Sequence, residues 1–152
     1  VVLLEPGYPV LLAAYQTAPP LLARAWLAHP MVALVGSRNA SGPRLKFAEK
    51  LSRELGESGF VVISSLARGI DTAAHRAALA TGTLAVLAGG HGQIYLPQNE
   101  PLVEELIATG CAVLEMPFTV EPRARDVPRR NRFVAGLSLS VLLVEAARKS
   151  AR

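Results

Sequence analysis

The sequence predicts a doubly wound α/β domain, a mainly parallel sheet of about five or more strands flanked by helices. Three observations predict it. From Met31 onward, short apolar runs of β type alternate with segments of helical periodicity. The runs give way to glycine, serine or charged residues, the composition of strand-end loops. The chain has 152 residues, 51% of them apolar, which suffices for one substantial core and is short for two.

Each element follows from a local signal. Met31 to Val35 is the first strand, and Gly36 to Gly42 is a turn. Pro43 suits a first helical position, and Leu45, Ala48, Leu51 and Leu55 recur at spacings of three and four until Gly59. Phe60 to Ile63 is the second strand. The alanine-rich segment Thr72 to Ala80 reads as a helix, with Asp71 placed to cap it and Gly82 to end it. Leu84 to Leu87 is the third strand, followed by the glycine loop Gly89 to Gly92. Asn99 can cap a helix from Glu100 to Ala108, and Cys111 to Leu114 is the fourth strand. Met116 to Arg129 is a loop rich in proline and arginine, Arg130 to Leu137 a short helix, and Leu139 to Val144 the fifth strand. Four successive right-handed crossovers connect these strands.

Residues 1–30 break the period. Pro6, Pro9, Pro19, Pro20 and Pro30 punctuate them, so they read as a lead-in subregion ahead of the domain at 31–152. Val1 to Leu4 reads as an internal cut and not as a signal peptide, and the domain is expected to be truncated at both ends. The lone Cys111 has no disulfide partner within the chain and reads as a buried strand residue, which fits a cytoplasmic location. Val134 to Val144, interrupted by Gly136, Ser138 and Ser140, falls short of the ~20 residues of a membrane helix, and no span is expected.

In an open parallel sheet, ligands bind beyond the carboxyl ends of the strands. The residues that follow the strands therefore sample one surface: Gly36, Ser37 and Arg38, then Ser64, Ser65, Arg68 and Gly69, then Gly89 to His91, then Glu115, then Glu145 and Lys149. Small residues there admit a ligand close to the backbone, and the helix starts behind Gly36 and Gly69 are expected to offer free N–H groups to an anion. For any single loop, ordinary turn chemistry explains such residues; their coincidence points to phosphate. The charge is +4, from 16 basic and 12 acidic residues, and it concentrates in Arg123, Arg125, Arg129, Arg130 and Arg132. Arginine pairs bidentately with phosphate and stacks on bases, which suits a single strand, although a solvated basic loop has the same composition. Aromatic residues are 5% of the chain, with Tyr95 and Phe118 near these loops and Phe133 read as core, so binding is expected to be dominated by the nucleic-acid backbone.

Catalytic signals are thin. His29, His75 and His91 are not at metal-ligand spacing with Cys111, and neither a Walker motif nor the dinucleotide fingerprint is present. Asp71 and His75, four apart, read as a cap and a surface histidine and not as an acid–base pair; Glu115 and Glu145 read as partners for the arginines. No metal, cofactor or enzymatic activity is expected.

Four ordered motifs resemble those of the DprA/Smf family over roughly Met31 to Ser150: Val32 to Arg38, Leu66 to Asp71 with Ala74-His75, Ile94-Tyr95 with Pro97, and Pro128 to Arg132 with Ala135 to Ser138. Val144-Glu145-Ala146 completes the pattern, and Tyr8-Pro9 and the Pro19-Pro20 region resemble the family's lead-in. The resemblance implies an extended Rossmann-type domain that binds and protects single-stranded DNA, helps load the recombinase RecA in natural transformation and recombination, and forms a homodimer. It implies a basic pocket from Gly36, Ser37, Arg38, Arg68, Gly69, Arg130, Asn131 and Arg132. With the strand-exit reading, Ser65, Arg129 and Lys149 join that set. Where the family usually has Gly, an aromatic, Pro and Gly, this chain has Ser65, Val127, Leu96 and Ser140. Ser65 is expected to narrow the pocket, and Val127 to remove a stacking ring. Beyond Lys149-Ser150 the family continues with a Gly-Ser-Leu stretch, and many members add a small winged-helix-like domain. The alternative reading is a binder of nucleotide-derived small molecules or a phosphoribohydrolase-like enzyme. The cytokinin-activating phosphoribohydrolases share the architecture and carry Pro-Gly-Gly-x-Gly-Thr-x-x-Glu. Gly89-Gly90-His91-Gly92 lacks the Thr and Glu of that motif. A purely structural scaffold leaves the basic crevice unexplained.

Overall fold

The computed structural model describes residues 28–87, 100–109, 111–114 and 126–146. The lead-in 1–27, the Gly89 to Gly92 loop, Tyr95, Leu96, Asn99, Glu115, the segment from Met116 to Arg125 and Lys149 lie outside the described residues.

Strands and helices alternate as β1 (Met31–Val35), α1 (Gly42–Glu57), β2 (Val61–Ser64), α2 (Ile70–Ala78), β3 (Thr83–Leu87), α3 (Glu100–Thr109), β4 (Cys111–Leu114), α4 (Asp126–Leu137) and β5 (Ser140–Leu143). All four strand pairings are parallel, in the order β4-β3-β2-β1-β5. The first three crossovers step outward from β1, and the fourth returns to its other side. The order therefore reverses between β1 and β5, the switch point beside which such sheets bind ligands.

Strand alternation divides the core between the two faces. Met31, Ala33, Val61, Ile63, Leu84, Val86 and Val113 meet Phe133, Val134 and Leu137 of α4 on one face. Leu34 and Val62 meet Ala48 of α1 and Ile70, Ala74 and Ala78 of α2 on the other, where Leu142 and Val144 also pack. Ala85, which alternates with Leu84 and Val86, packs with Leu102, Val103 and Leu106, so α3 shares the α1 and α2 face. Phe133 is fully buried, in agreement with its assignment to the core.

Two helix starts differ from the sequence reading. α4 begins at Asp126 and not at Arg130, with Pro128 inside its first turn. A first-turn N–H has no intrahelical acceptor, so a proline there removes no helix bond. Arg129 and Arg130 thus belong to the helix and not to a preceding loop. α2 begins at Ile70, capped by Gly69, and Asp71 makes no capping bond. The remaining boundaries agree with the sequence reading to within two residues, β1 and β4 without any shift.

Among the described strands β5 lies at the sheet edge, and its Leu139, Val141 and Leu143 side alternates with the packed Leu142 and Val144 side. Leu139, Val141 and Leu143 remain 68%, 49% and 62% exposed.

Candidate nucleic-acid interface

The loops after β1 and β2 are pressed together. The Ser64 hydroxyl donates to the Leu34 carbonyl at 2.6 Å, tying the two strand ends. A Cβ on Gly36 would lie 2.7 Å from Ile70 Cγ1, and one on Gly69 would lie 2.4 Å from the Ser37 carbonyl oxygen. Gly69 also has φ 83°, a conformation that L side chains avoid. Leu66 adopts φ 58°, at a cost of about 1 kcal/mol for a residue with a side chain. Its burial with Ala85, Leu102 and Leu106 offsets that cost.

The start of α2 is hydrogen-bonded both across the loops and locally. Ile70 N–H donates to the Ser37 carbonyl at 3.3 Å, Thr72 N–H to Ala67 at 3.1 Å and Ala73 N–H to Gly69 at 3.0 Å. Behind Gly69, the Ile70 and Thr72 N–H groups that were expected to be free are therefore engaged by the protein's own carbonyls.

Arg130 is the central one. Although charged, it is 9% exposed. Its Nη1 donates to the Ser65 carbonyl at 3.0 Å and its Nη2 to Asn131 Oδ1 at 3.2 Å, while Nε is buried without a hydrogen-bond partner among the described residues. Burial lowers the Arg130 pKa; the Asp71 charge opposes that shift, and the like charge of Arg38 adds to it. Arg38 is exposed at the β1 exit, and Arg68 is exposed on the β2–α2 loop. Ser37 is buried, and its hydroxyl accepts the Asn39 N–H at 3.2 Å.

Burial of His75 corrects its surface assignment, and Asp71, read as a cap, is buried beside the sheet as well. Asp71 is 2% exposed and accepts a hydrogen bond from the Ser65 hydroxyl. Burial raises its pKa, opposed by the Ser65 hydroxyl and by the Arg130 charge. Ser65 therefore turns its hydroxyl inward to Asp71. His75 is fully buried, its Nδ1 2.7 Å from the Thr83 hydroxyl, which itself donates to the Val62 carbonyl at 2.8 Å. The hydroxyl proton being committed, His75 is the Nδ1–H donor, and burial lowers its pKa to about 4. A usable signal existed: Ala73, Ala74, Ala77 and Ala78 make α2 small enough to lie close to the sheet, so polar residues on it become buried.

The sequence-predicted residues Gly36, Ser37, Arg38, Ser65, Gly69, Arg130 and Asn131 thus form one neighbourhood at the β1 and β2 exits. Arg132 sits one residue beyond, its guanidinium 4.9 Å from the Phe133 ring centroid. Arg129 shares the first turn of α4, and its side chain lies outside the described set. Among the described residues no cluster of His, Cys, Asp and Glu could hold a metal ion, and no helix is long and apolar enough to cross a membrane.

A parallel doubly wound domain whose strand order reverses beside β1 belongs to the Rossmann-like class, in which ligand crevices lie at the carboxyl ends of the strands. A sequence profile of the DNA recombination-mediator protein A family matches residues 1–151. The chain belongs to this family, the DprA/Smf proteins. Protein Smf of Synechocystis sp. is 39% identical over 156 residues, covering 96% of this chain and 39% of that protein. The structure of DNA processing protein A from Streptococcus pneumoniae superposes with a TM-score of 0.84 at 32% identity, covering 99% of this chain and 55% of that one. DNA processing protein A from Helicobacter pylori, whose structure addresses its single-stranded DNA binding mode, gives 0.76 at 29% identity over 80% of this chain and 56% of that one. The chain spans between 39% and 56% of the length of these relatives.

Proposed function

We propose that this chain is the single-stranded-DNA-binding part of a recombination mediator, holding DNA phosphates at the β1 and β2 exits, protecting the strand and presenting it to RecA during DNA uptake and recombination. The observation that carries the reading is Arg130: a guanidinium 9% exposed, with a buried Nε donor unpartnered among the described residues, next to the charge of Arg38. An unsatisfied buried donor costs about 1–3 kcal/mol, which an anionic ligand recovers. Family membership and the single-strand binding of the Helicobacter pylori relative support DNA as that ligand.

Gly36 and Gly69 keep the two loops close, Ser37, Ser65 and Asn131 shape the site, and Arg38, Arg68, Arg129, Arg130, Arg132 and Lys149 neutralise phosphates. No cofactor or covalent chemistry is involved. The protein acts in the cytoplasm as a homodimer, with residues 31–152 as the binding domain and 1–30 as its lead-in.

The test compares a single-stranded oligonucleotide, the matching duplex and AMP. Four to five phosphate contacts give a slope of roughly −3 in log K against log[salt] for the single strand, about −0.7 per contact. Replacing Arg130 and Arg132 together by Ala flattens the slope by about 1.4 if both contact phosphate. A slope near zero, with AMP saturating the site, favours instead a receptor or enzyme for a nucleotide-derived small molecule.

A further inference from the structure

The Ser65 carbonyl takes one Arg130 donor while the Ser65 hydroxyl is given to Asp71, so a single residue links the buried carboxyl to the buried guanidinium. We propose that Ser65 and Asp71 are positioning residues: together they fix the β2 exit so that Arg130 presents its remaining donors to phosphate, without touching DNA themselves. This rests on the reading of Arg130 as a phosphate contact.

Three observations converge on it. First, the three groups come from three elements, Ser65 just past β2, Asp71 in the first turn of α2 and Arg130 in the first half of α4, so the contacts fix where these elements meet. Second, all three are nearly excluded from water, at 8%, 2% and 9% exposure, where a polar group without a partner is costly, and Ser65 is a hydrogen-bond partner of both the others. Third, the loop carrying Ser65 continues directly into Leu66 at φ 58°, a strained conformation that local contacts must sustain. Asp71 has a second effect. Arg38 and Arg130 repel one another, and the Asp71 charge opposes that repulsion.

The experiment is a double-mutant cycle on single-stranded oligonucleotide binding by the chain as it stands, with Ser65→Ala, Arg130→Ala and the pair, each checked for an unchanged circular-dichroism spectrum. Ser65→Ala is expected to weaken binding about 5- to 10-fold and to flatten the salt slope by about 0.7, the share of one lost phosphate contact. In the Arg130→Ala background the same substitution is expected to change binding less than 2-fold, because the contact it positions is already gone. Additive effects, or a well-folded Ser65→Ala variant with the parental affinity and slope, overturn the proposal. Asp71→Asn is expected to follow Ser65→Ala; should it not fold, Ser65→Gly serves as the second variant, since it too removes the hydroxyl. If the parental chain binds no single strand while Ser65→Ala is folded, it is the reading of the site as a DNA interface that fails, an outcome distinct from parental binding that Ser65 does not influence.

Discussion

The β2 exit and the β5 edge invert the usual distribution of residues in opposite senses. At the β2 exit, Ser64, Ser65, Asp71, His75 and Arg130 are polar or charged and buried. On β5, Val141 and Leu143, with Leu139 just before it, are apolar and exposed. The first is possible because each of these residues has a partner on a neighbouring segment: Ser64 with Leu34, Ser65 with Asp71, His75 with Thr83 and Arg130 with Ser65. The second arises because α4 covers the sheet over β1, β2 and β3 through Phe133, Val134 and Leu137, and the described chain offers nothing beyond. Burial is set by the proximity of neighbouring elements, and polarity decides only what that burial costs.

The largest effect expected from breaking the β2 side is that of Gly69→Ala. The new Cβ combines a positive φ of 83° with a 2.4 Å approach to the Ser37 carbonyl oxygen, so either the loops separate or the helix start shifts. A loss of about 3 kcal/mol or more is expected in urea denaturation, together with loss of DNA binding. A variant of parental stability would show that the loops are not closed in solution.

Next in size is a pH effect. His75 has a folded pKa of about 4, below the unfolded value of 6.5. Its stabilising contribution is complete above pH 6.5 and is lost as pH falls toward 4, because the unfolded chain binds a proton that the folded one does not. The maximum is about 3 kcal/mol. Asp71 runs the other way: its folded pKa is raised, so the cost of burying its charge is present at high pH and relieved as pH falls through the folded value. In urea titrations, His75→Gln should remove the loss between pH 6.5 and 4 and leave the opposing contribution of Asp71 exposed. A pH profile unchanged by that substitution would assign the titration to another group.

The sequence made this fold legible wherever one signal dominated. Met31 to Val35 and Cys111 to Leu114 are uninterrupted β-type runs, and both strands begin and end where the pattern does. Reading failed where a residue type has two uses. Pro128 reads as a breaker and instead sits in the first turn of α4, and Asp71 reads as a cap while Gly69 takes that position. The site was legible as a set of small and cationic residues at strand exits. That Arg130 is inside and Arg38 outside was not, since it depends on α4 beginning four residues earlier than its periodicity suggested. Nor was the burial of Asp71 and His75, which follows from the packing of an alanine-rich helix.

The smallest expected effect tests the β5 side. Leu142 and Leu143 are neighbours in sequence and opposite in facing: Leu142 packs with Leu34 and Val62, whereas Leu143, aligned with Val35, is 62% exposed. Apolar surface that is already in water contributes little to folding, and threonine has high β propensity, so Leu143→Thr should change stability by no more than about 0.5 kcal/mol. Leu142→Thr removes packed methyl groups and brings a hydroxyl to the core margin, so it should cost about 1–2 kcal/mol. The pair is measured by urea denaturation at two protein concentrations. Equal costs at both positions would mean that the exposed face of β5 is covered in solution, and a cost at Leu143 that grows with concentration would identify the cover as a second copy of the chain. Either result would end the contrast between a face closed by partners and a face left open, whereas a large cost confined to Leu142 would establish that burial on this strand follows α1 and α2 alone.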